Sequence, residues 1–182
     1  DFDSRLVIER LFSSGSMDSS KVKAIDQLGG YGLPRKSYNY IRQRYIEHPW
    51  YSYDFRMISI NGNPELLIVF RLVQALGGMV LRVVDLIGNH DIFAICAYVL
   101  RKEIESLEAE YLDIVCHGLD IKALRASGFV DTSQYPEMIL PNYFSPYEKR
   151  NINIDFAYKT TEDYSDQKVR LFRADSDQDR PN

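Results

Sequence analysis

An α+β fold, with a mixed, mostly antiparallel sheet and flanking helices, is predicted by three features of the sequence. Three strand-like segments follow one another through short turns, which favours an antiparallel meander. A long stretch of helical spacing separates the third of these strands from a fourth, and such a crossover makes the two parallel neighbours. The 182 residues, 45% of them hydrophobic and 26% charged, are ordinary for one domain with a real core.

The N-terminal part has the weakest pattern. Apolar residues at positions 6–11 predict a short helix, and the loop-like SSGSMDSS follows. A second helix, capped by Asp18 or Ser19, is predicted to end at Leu28. The turn-rich GGYGLP then breaks the chain, and SYNYIRQRYIEH has helical spacing that Pro49 ends.

The meander follows this helix. Its three strands are predicted at residues 53–60, 65–73 and 79–87. Asn61 and Gly62 form a strong hairpin signal between the first two. The third strand is apolar on both faces, so it is predicted to be central and covered on both sides.

Beyond the meander, residues 92–107 carry the clearest amphipathic pattern of the chain. A fourth strand is predicted at 111–116, and a short helix at 120–127 is closed by Gly128. Three further strands are predicted at residues 138–140, 152–158 and 169–173.

Composition disfavours several classes of function. The net charge of −4 and the pI near 5.4 argue against a broad nucleic-acid or anionic-membrane surface. The apolar runs are shorter than a membrane span requires.

Cys96 and Cys116 lie in apolar segments and are predicted to be buried free thiols. No cluster of His, Cys and acidic residues has metal-ligand spacing. A cytoplasmic location is therefore expected. The first residue is Asp1 and no leader follows it, so we expect either a fragment of a larger protein or a trimmed chain.

The element order resembles the acyl-CoA N-acyltransferase fold of the GNAT superfamily. The resemblance rests on the meander, the strand RVVDLIG, the helix after it, the strand YLDIVCHG and the short helix ending LRASGF. The pieces WYSYDF, LPNYF and DQDRPN also resemble a group of GNAT-like proteins linked with bacterial cell-surface polysaccharide genes. The resemblance implies a domain over residues 38–160, preceded by a helical and loop segment (1–37) and followed by a C-terminal strand and acidic tail (161–182).

The activity implied by this resemblance is transfer of an acyl group from acetyl-CoA, or another acyl-CoA, to a small-molecule amine. An amino sugar is one candidate acceptor. The alternative is a non-catalytic GNAT-like binding or scaffolding domain that has lost the coenzyme A site. A third possibility, aminoacyl transfer from a charged tRNA, needs a basic groove that the acidic net charge disfavours.

The turn after the central strand bears directly on this choice. The resemblance assigns the coenzyme A pyrophosphate to four residues there, namely Ile87, Gly88, Asn89 and His90. The turn departs from the family's basic, glycine-rich loop, because it has one glycine, no Arg or Lys, and Asp91 in the first helical turn. A helix simply capped by Asn89 is the alternative. Leu124 also stands where the family often has the Tyr that protonates the leaving thiolate.

Charged residues inside the apolar strands need a partner or a ligand. These residues are Arg71, Arg82 and Asp85. Strand alternation places Arg82 and Asp85 on opposite faces, so they are not expected to pair with each other. Both remain open as structural ion pairs with another segment or as substrate contacts. The substrate-binding candidates are Arg82, Asp85 and Asn142.

The catalytic candidates are Asp113, His117 and Tyr143. Asp113 and His117 share a strand face about 13 Å apart, which excludes a hydrogen bond between them in a regular strand. Either could act as the base for the amine. Tyr143 could act as the acid that the family's Tyr provides, or could form a packed aromatic corner.

The C-terminal tail has acids at alternate positions. These residues are Asp175, Asp177 and Asp179. The opening resembles a calcium loop, but the sixth position is Arg180 rather than Gly, which excludes an EF-hand. We expect the acids to be solvated or paired with Arg173 and Arg180. Docking against a site is the alternative.

Overall fold

The computed structural model describes residues 6–11, 19–75, 77–140, 151, 154–160, 169–176 and 179. Five strands form one sheet in the order β1-β2-β3-β4-β5. Their bounds are Leu6–Leu11, Asp54–Ile60, Asn63–Ala75, Gly78–Gly88 and Tyr111–Ile114. Strands β1 to β4 pair antiparallel and β5 runs parallel to β4. This confirms the predicted α+β class, the meander and the parallel crossover.

The first element is a strand, so the predicted helix at residues 6–11 is wrong. β1 pairs with β2 from Leu6 opposite Ile60 to Leu11 opposite Phe55. The segment is only six residues long, and its Val7 and Ile8 are β-branched, which disfavours an isolated helix. The edge of β2 offers a full row of backbone hydrogen bonds instead, and this tertiary pairing decides the conformation.

Helices cover both faces of the sheet, as predicted. On one face lie α1 and α2, spanning Ser19–Leu28 and Tyr38–Ile41, and α2 continues as a π-helical turn, Arg42–Ile46. On the other face lie a 3₁₀ helix, α3 and α4, spanning His90–Cys96, Ala97–Ser106 and Ile121–Ala126. We call these the α1 face and the α3 face. Each has its own hydrophobic core, and β4 is buried along most of its length between them.

A β-bulge interrupts β4 at its centre. Val69 of β3 lies opposite Asp85, whereas the next residue, Phe70, lies opposite Val83, so Val84 has no partner residue. The extra residue resets the alternation, and both Arg82 and Asp85 therefore point to the α1 face. The expectation of opposite faces is wrong, because it assumed a regular strand.

The parallel strands β4 and β5 separate beyond the bulge. Their pairing ends at Val83 opposite Ile114, although β4 continues to Gly88. The predicted fourth strand breaks at Val115. The next two residues, Cys116–His117, form β6, which pairs with Leu171–Phe172, β7, in a second small sheet.

The C-terminal segment therefore lies at the gap between the separating strands. After β7 a 3₁₀ turn, Arg173–Asp175, begins, and its first N–H donates to the carbonyl of Val115 (3.1 Å). Of the strand predicted at 169–173, only β7 and a bridge between Val169 and Leu33 are present.

Two other predicted strands are absent from the described residues. Residues 138–140 do not form a strand, since the Asn151 side chain provides the hydrogen bonds that a neighbouring strand would supply. Asn151 accepts from the Leu140 N–H (3.0 Å) and donates to the Met138 carbonyl (2.7 Å). Residues 154–158 are likewise irregular. Among the described helices, none has the length and apolar character to cross a membrane.

Candidate functional site

A buried ion network lies on the α1 face where β4 bulges. Lys36, just before α2, donates from Nζ to Asp85 Oδ1 (2.6 Å) and to Asp175 Oδ2 (2.8 Å). The Lys36 and Asp85 side chains are 4% and 0% exposed. A charge at this depth requires a compensating partner, and the network joins the central strand, the α2 entry and the C-terminal turn. We call Lys36, Asp85 and Asp175 the Lys36 network.

Two tyrosines connect Asp85 with the surface of the core. Tyr45 donates its hydroxyl to Asp85 Oδ2 (2.6 Å), and the Tyr40 ring packs edge-on against Tyr45 with ring centroids 6.1 Å apart. Burial raises the pKa of Asp85 to about 6, and burial also raises the pKa of Tyr45 well above its ordinary value. Asp85 is thus largely ionised at neutral pH, and its pKa suits a proton acceptor working there.

A cavity of about 560 Å³ begins where this path ends. It lies between α2 and the C-terminal segment, and we call it the Tyr40 cavity. Its lining includes Leu33, Tyr40, Arg44, Tyr158, Lys159 and Asp175. Tyr40 and Asp175 are therefore the two residues that belong both to the cavity lining and to the surroundings of the buried network.

A second buried carboxylate lies nearby. Asp179 accepts from Tyr53 (2.7 Å) and from Arg71 (2.5 Å), and it lies 3.7 Å from Arg44. Burial, followed by this hydrogen bond to Asp179, raises the pKa of Tyr53. The expectation of solvated tail acids is wrong for Asp175 and Asp179, because both side chains are buried against the sheet. Asp177 and Arg180 lie outside the described residues.

Asp113 and Arg82 belong to a third buried cluster on the same face. Asp113 Oδ2 lies 3.3 Å from Arg82 Nε and 3.4 Å from Arg173. Both guanidinium groups contact the same oxygen, so the Asp113 carboxylate is paired with two arginines. Arg82 and Asp85 therefore both form ion pairs with other segments of the chain, Arg82 with Asp113 and Asp85 with Lys36.

His117 lies at the end of β6. Its ring packs against Phe156 and Tyr158, with centroids 4.9 and 5.7 Å away. It also lines a cavity of about 570 Å³. The roles of Asn142 and Tyr143 stay predictions, since both residues lie outside the described part of the chain.

The turn after β4 is stabilised by its own contacts. Gly88 has φ +124°, and a Cβ there would lie 2.3 Å from the Glu65 carbonyl oxygen, so glycine permits close approach to β3. The Asn89 N–H donates to that same carbonyl (2.7 Å). The side-chain oxygen of Asn89 accepts a hydrogen bond from the Asp91 N–H (3.2 Å). The backbone carbonyl of Asn89 accepts one from the Ile92 N–H (3.4 Å). Three amides of the turn are thus engaged within the protein.

The ligand that the resemblance implies at this turn does not fit these contacts. A pyrophosphate needs free amides, and those of Asn89, Asp91 and Ile92 are taken. Among the described residues that line the cavity alongside, Arg170 is the one cation, and Asp91 and Asp120 are anions. Their formal charge of −1 disfavours an anionic ligand. Ile87 is buried in the core.

His90 is held neutral in this turn. Its Nε2 lies 3.1 Å from the Leu86 carbonyl oxygen, and its ring stacks on Phe172 at a centroid distance of 5.6 Å. Burial lowers the pKa of His90 to about 4. The side chain therefore adds no positive charge for a phosphate at neutral pH.

The sequence missed the residues that complete the Asp85 site. Lys36 lies in a loop without periodic pattern, and Tyr45 fits the apolar face of a helix. The available signal was Asp85 itself, because a carboxylate in a buried strand demands a cation and hydrogen-bond donors. Within the described residues, no group of three or more His, Cys, Asp or Glu side chains is placed to hold a metal ion.

The fold is similar to that of an aminoglycoside acetyltransferase from an uncultured soil metagenomic sample, whose structure was solved in complex with trehalose. The TM-score is 0.50 at 12% identity, over 87% of this chain and 100% of that one. A second solved structure, TTHA1254 from Thermus thermophilus, aligns with TM-score 0.42 at 11% identity, over 81% and 96% of the two chains. Neither a family model nor a curated protein matches the sequence. The first likeness, together with the topology, defines an acetyltransferase-like α+β fold.

Proposed function

We propose that this chain is an N-acyltransferase that acylates a small-molecule amine bound in the Tyr40 cavity. The observation that carries the proposal is the row of Tyr40, Tyr45 and Asp85, in which the Tyr40 ring packs edge-on against Tyr45 and Tyr45 is hydrogen-bonded to Asp85. It links a ligand-sized cavity to a buried carboxylate with a pKa of about 6. Removal of a proton from the amine is what such a path can provide.

Three residues of this chain carry the proton from the amine. An ammonium group in the cavity gives its proton to the Tyr40 oxygen. Tyr40 passes its own proton to Tyr45, and Tyr45 passes its own to Asp85 Oδ2. The net result is a neutral amine with a free lone pair and a protonated Asp85. Lys36, whose pKa is raised because the pairs with Asp85 and Asp175 outweigh burial, stays charged throughout.

Acetyl-CoA or another acyl-CoA is the donor that the resemblance implies, and it would supply the activated acyl carbonyl. We propose no contact for it at the turn after β4. His117 and Tyr143 remain sequence candidates for the reaction, as base and acid. The resemblance of three sequence segments to proteins of bacterial polysaccharide loci supports an amino sugar as acceptor. The two free thiols, Cys96 and Cys116, support a cytoplasmic location.

A non-catalytic binding domain is the second candidate function. It is favoured by the engaged amides of the turn and by the C-terminal segment at the gap between β4 and β5. In this interpretation the Lys36 network only anchors the C-terminal segment to the sheet.

Calorimetric titration with acetyl-CoA separates the two candidates. A transferase is expected to give a saturable isotherm, with a Kd of about 1 μM to 1 mM, the range common for enzyme substrates. Because acylation cannot proceed without a donor, no heat of binding at millimolar acetyl-CoA would leave only the binding domain. Coenzyme A without the acyl group is the matched control ligand.

A further inference from the structure

The described charges around the Tyr40 cavity form two poles. At one pole, the Lys36 network combines one ammonium with two carboxylates, which gives a formal charge of −1. Asp175 belongs to the lining of the cavity, as does Tyr40. A cation is the complementary partner for this end.

At the other pole, cations are in excess. Arg44 and Arg71 share the carboxylate of Asp179, which gives a formal charge of +1. The Arg71 guanidinium lies 2.5 Å from Asp179 Oδ1, whereas the Arg44 guanidinium lies 3.7 Å from Asp179 Oδ2. The Arg44 side chain is 22% exposed and lines the cavity, and Lys159 adds a second cation to the lining.

We propose that the cavity selects a zwitterionic acceptor, with its ammonium group at Asp175 and Tyr40 and an anionic group at Arg44 and Lys159. This rests on the proposed function for the statement that the ligand is the acyl acceptor. The volume of about 560 Å³ suits a monosaccharide phosphate or a molecule of similar size. A partly buried guanidinium binds phosphate or carboxylate oxygens more strongly than an exposed one, because less water competes.

The test is a binding series on the whole chain without any acyl donor. Glucosamine 6-phosphate carries both charges, glucosamine only the amine, and glucose 6-phosphate only the anion. We expect glucosamine 6-phosphate to bind at least about tenfold more tightly than either of the others in calorimetry. Phosphoethanolamine, ethanolamine and ethyl phosphate form a second series with the same charges and no sugar ring.

Two variants locate the anion site. Arg44→Gln is expected to weaken glucosamine 6-phosphate binding about tenfold and to leave glucosamine unchanged. The control is Arg101→Gln on α3, because that side chain is 80% exposed and paired with Glu105 on the other face. It should change neither affinity.

Three results would overturn the proposal. They are equal affinity for all ligands of a series, an Arg44→Gln variant that still prefers glucosamine 6-phosphate to the same extent, and no binding in both series. The binding preference and the acyl-transfer function can fail independently of each other. Preferential binding without acylation would contradict that function alone, whereas acylation of neutral amines only would contradict the zwitterion preference alone.

Discussion

Replacing Asp85 by Asn is expected to lower kcat/KM for amine acylation by about 100- to 10,000-fold, the range that general acid–base catalysis typically contributes. Asparagine keeps the volume, and its amide can still hydrogen bond to Lys36 and Tyr45. It cannot accept the proton that the tyrosine path delivers. Lys36 retains its pair with Asp175 at 2.8 Å, so the variant is expected to fold.

The pH profile gives this prediction a second readout. Asp85 must be ionised to act as a base, so the wild-type rate is expected to rise with pH through about 6 and then level off. The Asn variant should lack this rise of the rate with pH.

Burial raises the pKa of Asp85 on folding, so the folded state binds the proton of Asp85 more tightly than the unfolded chain does. The contribution of Asp85 to stability therefore falls as pH rises from about 4 to about 6.

Asp113→Asn is the matched control, since Asp113 is also a buried carboxylate on a strand of the same face. It is paired with two arginines and lies outside the tyrosine path, so the rise of the rate near pH 6 should persist. If Asp113→Asn removes this rise and Asp85→Asn keeps it, the assignment of the base is wrong.

Replacing Gly88 by Ala is expected to destabilise the protein by about 4 kcal/mol, which combines backbone strain with overpacking. The residue has φ +124°, and the added Cβ would lie 2.3 Å from the Glu65 carbonyl oxygen and 3.0 Å from Leu28. Backbone on one side and a packed helix on the other leave little room for relaxation. Urea denaturation followed by circular dichroism measures the change.

Gly62→Ala separates strain from packing. Gly62 also has a positive φ, +79°, but nothing lies within 4 Å of its Cβ position, so a loss of about 1 kcal/mol is expected. Equal losses in the two variants would mean that the contact with Glu65 adds nothing. Gly88 would then lose the structural role assigned to it.

Gly88 also shows what the sequence can and cannot reveal. A glycine between a buried strand and a helix is compatible with phosphate binding and with close backbone approach, and local pattern does not separate the two. The choice depends on Glu65, which lies on the neighbouring strand. The capping alternative at Asn89 needed only adjacent residues, and the structure contains that cap.

The three meander strands and the helical segment after them were predictable because their patterns are local and strong, although the first turns of the helix predicted at residues 92–107 are 3₁₀. Residues 6–11 were not, since their conformation depends on pairing with β2, more than 40 residues away. The bulge at Val84 was also hidden, and it reversed the relation of Arg82 to Asp85. Lys36 and Asp85 are 49 residues apart, and no spacing rule connects them.

The most direct test of the transferase is acceptor-dependent release of free thiol from acetyl-CoA, followed with the wild-type chain and with Asp85→Asn from pH 5 to 8. We expect thiol release that requires the amine, rises through about pH 6 and is at least about 100-fold slower in the variant. Absence of amine-dependent release at saturating acetyl-CoA and a panel of zwitterionic and neutral amines would contradict it, as would equal rates in the two proteins.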